Sequence, residues 1–263
     1  MAPEPEILIE HLPTLAEATG FLRAVEAHVR RLHAPADRPR PVVLPSYDGT
    51  RRQPNLTALL ALLLKRYGVT VCIHGAPGRG SPLPMTTAAV LLELGIEPAT
   101  DLADAQARLE HDDIAYVPVD VLAPTLPGLR SASVASDLDR LVPALVRLVD
   151  PFGGDGYRVI GARSAQERTW MHDVLAATGA NALLVAGAEG EPFVDPAAPW
   201  LESFIAGVAT GSESEVTPGS FLPVPAGGPA ATAAAIERVL TGELPVPDSI
   251  LVQLGCCLAG VRC

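Results

Sequence analysis

Gly68-Val69-Thr70-Val71-Cys72-Ile73-His74-Gly75 is a β-branched run that ends on glycine and opens into a Gly/Pro-rich segment, 76–85, carrying Arg79. Thr86-Thr87-Ala88-Ala89-Val90-Leu91-Leu92-Glu93-Leu94-Gly95 follows with helical character. A strand leading into a loop that can approach a ligand closely, then a helix whose amide end faces that loop, favours an anion at the junction. Upstream, residues 41–44 read as a second short strand, and residues 55–67, with Pro54 near the start, as a leucine-rich helix. Strand, helix, strand in that order makes a parallel sheet.

The same reading extends outward. Residues 15–32 are amphipathic, with Leu15, Phe21, Leu22, Val25 and Val29 on a common side, which predicts a helix. Further strands are predicted at 114–117, 157–161 and 182–186, and helices at 85–94, 102–109, 138–149 and 165–178. Residues 206–229 read as a Gly/Ser/Pro-rich connector. Two short helices follow at 229–240 and 249–258, the second capped by Asp248.

The 263 residues are 48% hydrophobic and 19% charged, enough to bury a sizeable core. Aromatic residues make up only 4%, so stacking platforms for bases are scarce. No apolar run is long enough to span a bilayer, and Glu4, Glu6 and Glu10 do not resemble the basic start of a signal peptide. Cys72, Cys256, Cys257 and Cys263 have no CxxC spacing, so reduced thiols and a cytoplasmic location are expected. The formal charge of −11 argues against nucleic-acid binding in bulk. The basic residues Arg51, Arg52, Lys65, Arg66 and Arg79, however, fall in sequence in or beside the two loops that follow the first two strands, while acids concentrate at 101–113, 189–195 and 213–215. A basic cleft on an acidic body is compatible with that distribution.

Four segments carry a family resemblance: 68–95, Pro45-Ser46-Tyr47-Asp48-Gly49 with Asn55-Leu56-Thr57, Val149-Asp150-Pro151-Phe152-Gly153-Gly154-Asp155-Gly156, and 179–192 with Glu189-Gly190-Glu191. Their order and spacing resemble anthranilate phosphoribosyltransferase and its relatives, and the forms at 44–57 and 179–191 resemble the divergent YbiB-type, DNA-binding branch of that family. The resemblance implies an α/β fold: a mostly parallel sheet flanked by helices, with a small α-helical domain, as in nucleoside phosphorylases and phosphoribosyltransferases. It further implies that 1–35 is a shortened remnant of the N-terminal helical domain. Residues 36–120 and 149–263 would be the two parts of the α/β domain, and 121–148 the helices inserted into the helical domain. The family dimerises through that helical domain, so a homodimer is implied if it is complete.

The departures from the family pattern matter as much as the matches. Asp48, Gly49, Asn55, His74 and Gly75 remain as remnants of a sugar-phosphate site. Ile73 stands where the family has lysine, Ser46 and Tyr47 where it has phosphate-admitting glycines, and Ala89 where it has aspartate. An ungapped register places Pro143 where the enzymes grip the carboxylate of anthranilate with arginine. Since the transferase reaction depends on cations and amide donors that neutralise a departing pyrophosphate, tryptophan biosynthesis is not expected.

Several residues retain two readings at this point. Arg51 and Arg52 precede a helix, where amides and guanidinium groups together suit phosphate, or they are solvated loop arginines. Arg79 is an anion fork or a loop arginine. His74 positions a sugar-phosphate oxygen at the cleft mouth, or is an ordinary strand-end histidine. Glu189 and Glu191 are weak candidates for magnesium, and their spacing favours solvated loop acids. Gly153-Gly154-Asp155-Gly156 is a helix-to-strand hinge rather than a second phosphate loop.

The leading expectation is a non-catalytic protein that holds nucleic-acid backbone with low sequence preference through Arg51, Arg52, Lys65, Arg66 and Arg79, needing no cofactor. The alternative is a phosphoribosyl- or pentosyltransferase on an unknown acceptor, which would require Mg²⁺. A paralogue with neither activity is the third.

Overall fold

The computed structural model describes residues 12–76, 85–124, 144–213, 222–224 and 228–263. Seven strands form one sheet in the order β3-β2-β1-β4-β5-β6-β7. β1 (Val42–Ser46), β2 (Val71–Gly75), β3 (Ile114–Pro118), β4 (Tyr157–Ala162) and β5 (Ala182–Ala186) run parallel to one another, as the sequence predicts. β1 to β4 are buried along their whole length, which is why they read as continuous apolar runs rather than alternating ones.

Alternate residues of each strand feed two cores. Val42, Leu44, Val71, Ile73, Val159 and Leu183 pack with α2 (Thr57–Arg66), α3 (Thr87–Glu93) and two C-terminal helices. Val43, Cys72, Ala115, Ile160 and Leu184 face the other way, onto α1 (Leu15–Glu26), α4 (Leu102–His111) and α6 (Ala165–Ala177). A one-turn helix, α5 (Val119–Leu122), follows β3, and the C-terminal helices are α7 (Gly228–Leu240) and α8 (Asp248–Gly260).

Four expectations need correction. The predicted connector 206–229 begins as β7 (Val208–Glu213), which pairs antiparallel with β6 (Leu201–Ile205). Ala206 (φ 49°) and Gly207 (φ 79°) both take left-handed backbone in the two-residue connection, as a tight hairpin requires. The amphipathic helix stops at Glu26 rather than residue 32, because the Arg30 and Leu32 amides bond to Leu122 O and Pro151 O instead of continuing the helical ladder. Asp248 does not cap α8 but is its first residue, with Pro247 at the cap position. Within predicted helix 138–149, only residues after 143 are described, and these form a single short turn.

The chain steps from β1 outward to β2 and β3, then returns on the far side of β1 as β4. The order therefore reverses between β1 and β4, and in open parallel sheets the crevice beyond the carboxyl ends of such strands is where ligands bind.

Candidate functional site

At that crevice lies a carboxylate rather than an empty cradle. Glu191, in the loop after β5, is completely buried. Its Oε1 accepts the backbone N–H groups of Asp48 (3.0 Å) and Gly49 (2.7 Å). Its Oε2 is approached by the Thr87 hydroxyl (3.1 Å), the Thr57 hydroxyl and Asn55 Nδ2 (both 3.3 Å), and accepts from the Ser46 hydroxyl. Ser46 closes β1, while Thr57 and Thr87 open α2 and α3, so three element ends converge on one side chain. Asn55 holds its position by accepting the Thr57 amide through Oδ1 (3.1 Å). Burial pushes the Glu191 carboxyl above its ordinary value, while the Ser46 hydroxyl, the Gly49 amide and Asn55 pull it down.

Two residues earlier, Glu189 performs the same service at the rim. Its Oε1 and Oε2 accept the Arg51 amide (3.1 and 2.9 Å), and Oε1 also accepts the Arg52 amide (3.0 Å). Glu189 sits at φ 53° and Gly190 at φ 91°, the left-handed pair that lets two carboxylates on either side of Gly190 reach one loop. A side chain at 190 would meet Asp48 Oδ2 at 2.5 Å, so only glycine fits. For Glu189 the left-handed backbone costs roughly 1–2 kcal/mol, offset by its amide bonds.

Behind this loop runs a chain of charges. Arg147, buried, donates to Gly161 O (2.6 Å) and pairs with Glu167, and its Nη1 is 3.8 Å from Asp48 Oδ2. Glu167 Oε2 accepts the Arg163 amide (2.7 Å), while Arg163 Nη1 lies 3.6 Å from Asp48 Oδ1. Ser164 and Glu167 form the N-terminal cap of α6, with the Ser164 hydroxyl accepting the Glu167 amide.

His74 is fully buried, not at an open mouth. Tyr47 lies edge-on to it, ring centroids 5.6 Å apart, with Tyr47 Oη 2.7 Å from His74 Nδ1. Burial lowers its pKa to about 4, against weaker upward pulls from the Val149 backbone and Asp150. The imidazole is therefore neutral near pH 7.

No family model matches the chain. The uncharacterized protein YbiB of Escherichia coli strain K12 is 33% identical over 246 residues, which are 92% of this chain and 76% of that protein. The chain belongs to the YbiB family. Its fold is that of anthranilate phosphoribosyltransferase. The Thermus thermophilus enzyme superposes with a TM-score of 0.70 at 22% identity, over 94% of this chain and 75% of that one. The Saccharomyces cerevisiae enzyme, solved with PRPP and Mg, gives 0.66 at 16% identity, over 94% and 71%.

Within this YbiB-family chain Asp48, Gly49 and Asn55, expected from the family resemblance to be remnants of a sugar-phosphate site, come together around Glu191. Gly75 ends β2 beside Ser46 in the neighbouring strand. Arg51 and Arg52 are exposed at the rim, but their amides are bonded to Glu189 rather than presented to solvent. Lys65 and Arg66 are not beside the phosphate-type loops. They lie at the far end of α2, about 14 Å along a helix rising 1.5 Å per residue, where Arg66 Nη1 bonds Leu240 O at 3.1 Å. Nearness in sequence misled because the helix carries the chain back from the carboxyl end of β1 to the amino end of its parallel neighbour β2. Arg79 and Pro143 lie outside the described residues.

Glu191 is no solvated loop acid, since it is buried among donors, and Glu189 is bonded to backbone. Both carboxylates are engaged by the chain's own donors, Glu191 by its N–H and O–H groups and Glu189 by the Arg51 and Arg52 amides. Among the described residues no group of three or more His, Cys, Asp or Glu side chains is placed to hold a metal ion, and no helix is long and apolar enough to cross a membrane. Sequence reasoning missed Arg147 and Arg163 altogether. The Ser164-x-x-Glu167 pattern was the available signal, since it fixes a helix start directly after a strand at the crevice.

Proposed function

We propose that this chain is a non-catalytic member of the fold that binds nucleic-acid backbone, with low sequence preference, at the arginine-bearing rim of its crevice. The observation that carries the non-catalytic reading is the Glu191 cage. Donors that are disposed to receive an anion at the junction of β1, α2 and α3 are already committed to the protein's own carboxylate. Tyr47, from the same loop, engages His74 Nδ1 through its hydroxyl, so that ring nitrogen is also taken up by the chain itself. The absence of the family's lysine at Ile73 works in the same direction, since little cationic help is left for a departing pyrophosphate.

Support for the nucleic-acid reading is the exposed guanidinium-bearing stretch Arg51–Arg52, whose backbone is held in place by Glu189, with Arg163 beside the same crevice. Arginines on a fixed backbone contact phosphates without reading base edges, so binding should be steeply salt-dependent and sequence-tolerant. The test is one preparation assayed twice. Phosphoribosyl pyrophosphate with Mg²⁺ should show no turnover with any acceptor, and a labelled single-stranded oligonucleotide should bind at low salt. Mg²⁺-dependent release of pyrophosphate would replace this reading with the transferase one.

A further inference from the structure

Two carboxylates occupy backbone amides at this crevice, but they are held very differently. Glu191 is enclosed by six donor groups and fully buried. Glu189 sits at the rim and accepts two consecutive amides from a left-handed backbone position. An amide pair that grips a carboxylate through three N–H···O contacts of 2.9–3.1 Å has the geometry to grip a phosphate group.

We propose that the Arg51–Arg52 amide pair is a phosphate site that Glu189 fills in the unliganded chain, and that a phosphate group binds there by displacing the Glu189 side chain. A phosphate brings three acceptor oxygens and greater charge than a carboxylate, and the Arg51 and Arg52 side chains leave the backbone at the same two residues. The acids nearest the site are already compensated. Asp48 faces Arg147 and Arg163, and Glu191 is satisfied by its donor cage. Glu189 thus acts as an internal competitor, whose side chain swings outward while the Gly190 turn stays in place. The source of the phosphate is either a nucleic-acid backbone or a free phosphate compound. Only the first of these rests on the proposed nucleic-acid function.

The experiment follows the Arg51 and Arg52 amide resonances by NMR as inorganic pyrophosphate, or separately a short single-stranded oligonucleotide, is titrated into the wild type and Glu189→Ala. Saturable shifts of both amides are expected, with binding about tenfold tighter in Glu189→Ala because the competitor is gone. Shifts with pyrophosphate but none with the oligonucleotide would uphold the site and overturn the nucleic-acid reading of the rim. Both amides unmoved in both titrations, or affinity unchanged by Glu189→Ala, would overturn the site. Should the variant not fold, unmoved wild-type amides in both titrations overturn it equally.

Discussion

Ser46 donates its hydroxyl to the Glu191 carboxylate across 145 residues of sequence, joining the end of β1 to the loop after β5. That contact fastens the two halves of the sheet at the point where strand order reverses. The end of β1 and the loop after β5 are therefore fastened together by the chain itself, and the stability of that junction is tied to one buried side chain.

Replacing Glu191 with alanine should destabilise the fold by on the order of 3 kcal/mol, since buried donors left without an acceptor cost about 1–3 kcal/mol each before water or rearrangement relieves them. Glu191→Gln should cost less, because its carbonyl still accepts the Asp48 and Gly49 amides while the Ser46, Thr57 and Thr87 hydroxyls can rotate to accept. Urea unfolding of the three proteins gives the order directly. Equal stability of Glu191→Ala and wild type would contradict the cage.

The fold and the crevice were legible to different depths. Five parallel strands were readable because each is a short β-branched or apolar run bounded by turn residues, buried on both faces. The β6–β7 hairpin was not, since Glu202, Ser203, Gly207 and Gly211 blur its alternation, and Ala206 is not a residue that announces a left-handed turn. Asp48, Gly49 and Asn55 were found through their loop pattern. The role of Glu191 was hidden, because a Glu-Gly-Glu loop looks solvated until the partners that bury it, far away in sequence, are known. Lys65 and Arg66 were misplaced for the complementary reason, as residues close in sequence to the loops but separated from them by a helix.

Acid should weaken the fold through His74. The unfolded chain protonates this histidine from about pH 6.5 downward, whereas the buried imidazole takes a proton only near pH 4. Between those values the unfolded state binds more protons, so stability falls as pH drops through that window and is unaffected by this group above it. The loss should approach ~3 kcal/mol. Comparing unfolding free energies of wild type and His74→Gln from pH 7 to 4 isolates the effect, and parallel curves would refute it.

Arg147 should be nearly irreplaceable. Arg147→Met takes from buried Glu167 the closer of its two cations and leaves only Arg163, whose Nε is 3.7 Å from Oε2, an expected loss of about 3 kcal/mol. The Arg147→Met, Glu167→Leu double variant should recover part of it, since replacing both partners removes the uncompensated charge. Thermal melts of Arg147→Met, Glu167→Leu and the double variant test this coupling, and simple additivity would count against the pair.

The rim carries a prediction of position. Lys65→Ala with Arg66→Ala should leave the salt dependence of oligonucleotide binding unchanged, because both residues lie at the opposite end of α2 from Arg51 and Arg52. A loss as large as that from the rim arginines would move the binding surface to the amino ends of the strands.

The most direct test is fluorescence anisotropy of a labelled single-stranded oligonucleotide at a series of salt concentrations, with wild type and the Arg51→Ala, Arg52→Ala double variant. Binding at low salt that falls steeply with salt, with the slope of log K against log salt reduced by about 1.4 in the double variant, is the predicted result. No binding at low salt, or a slope the double variant leaves untouched, would contradict the account.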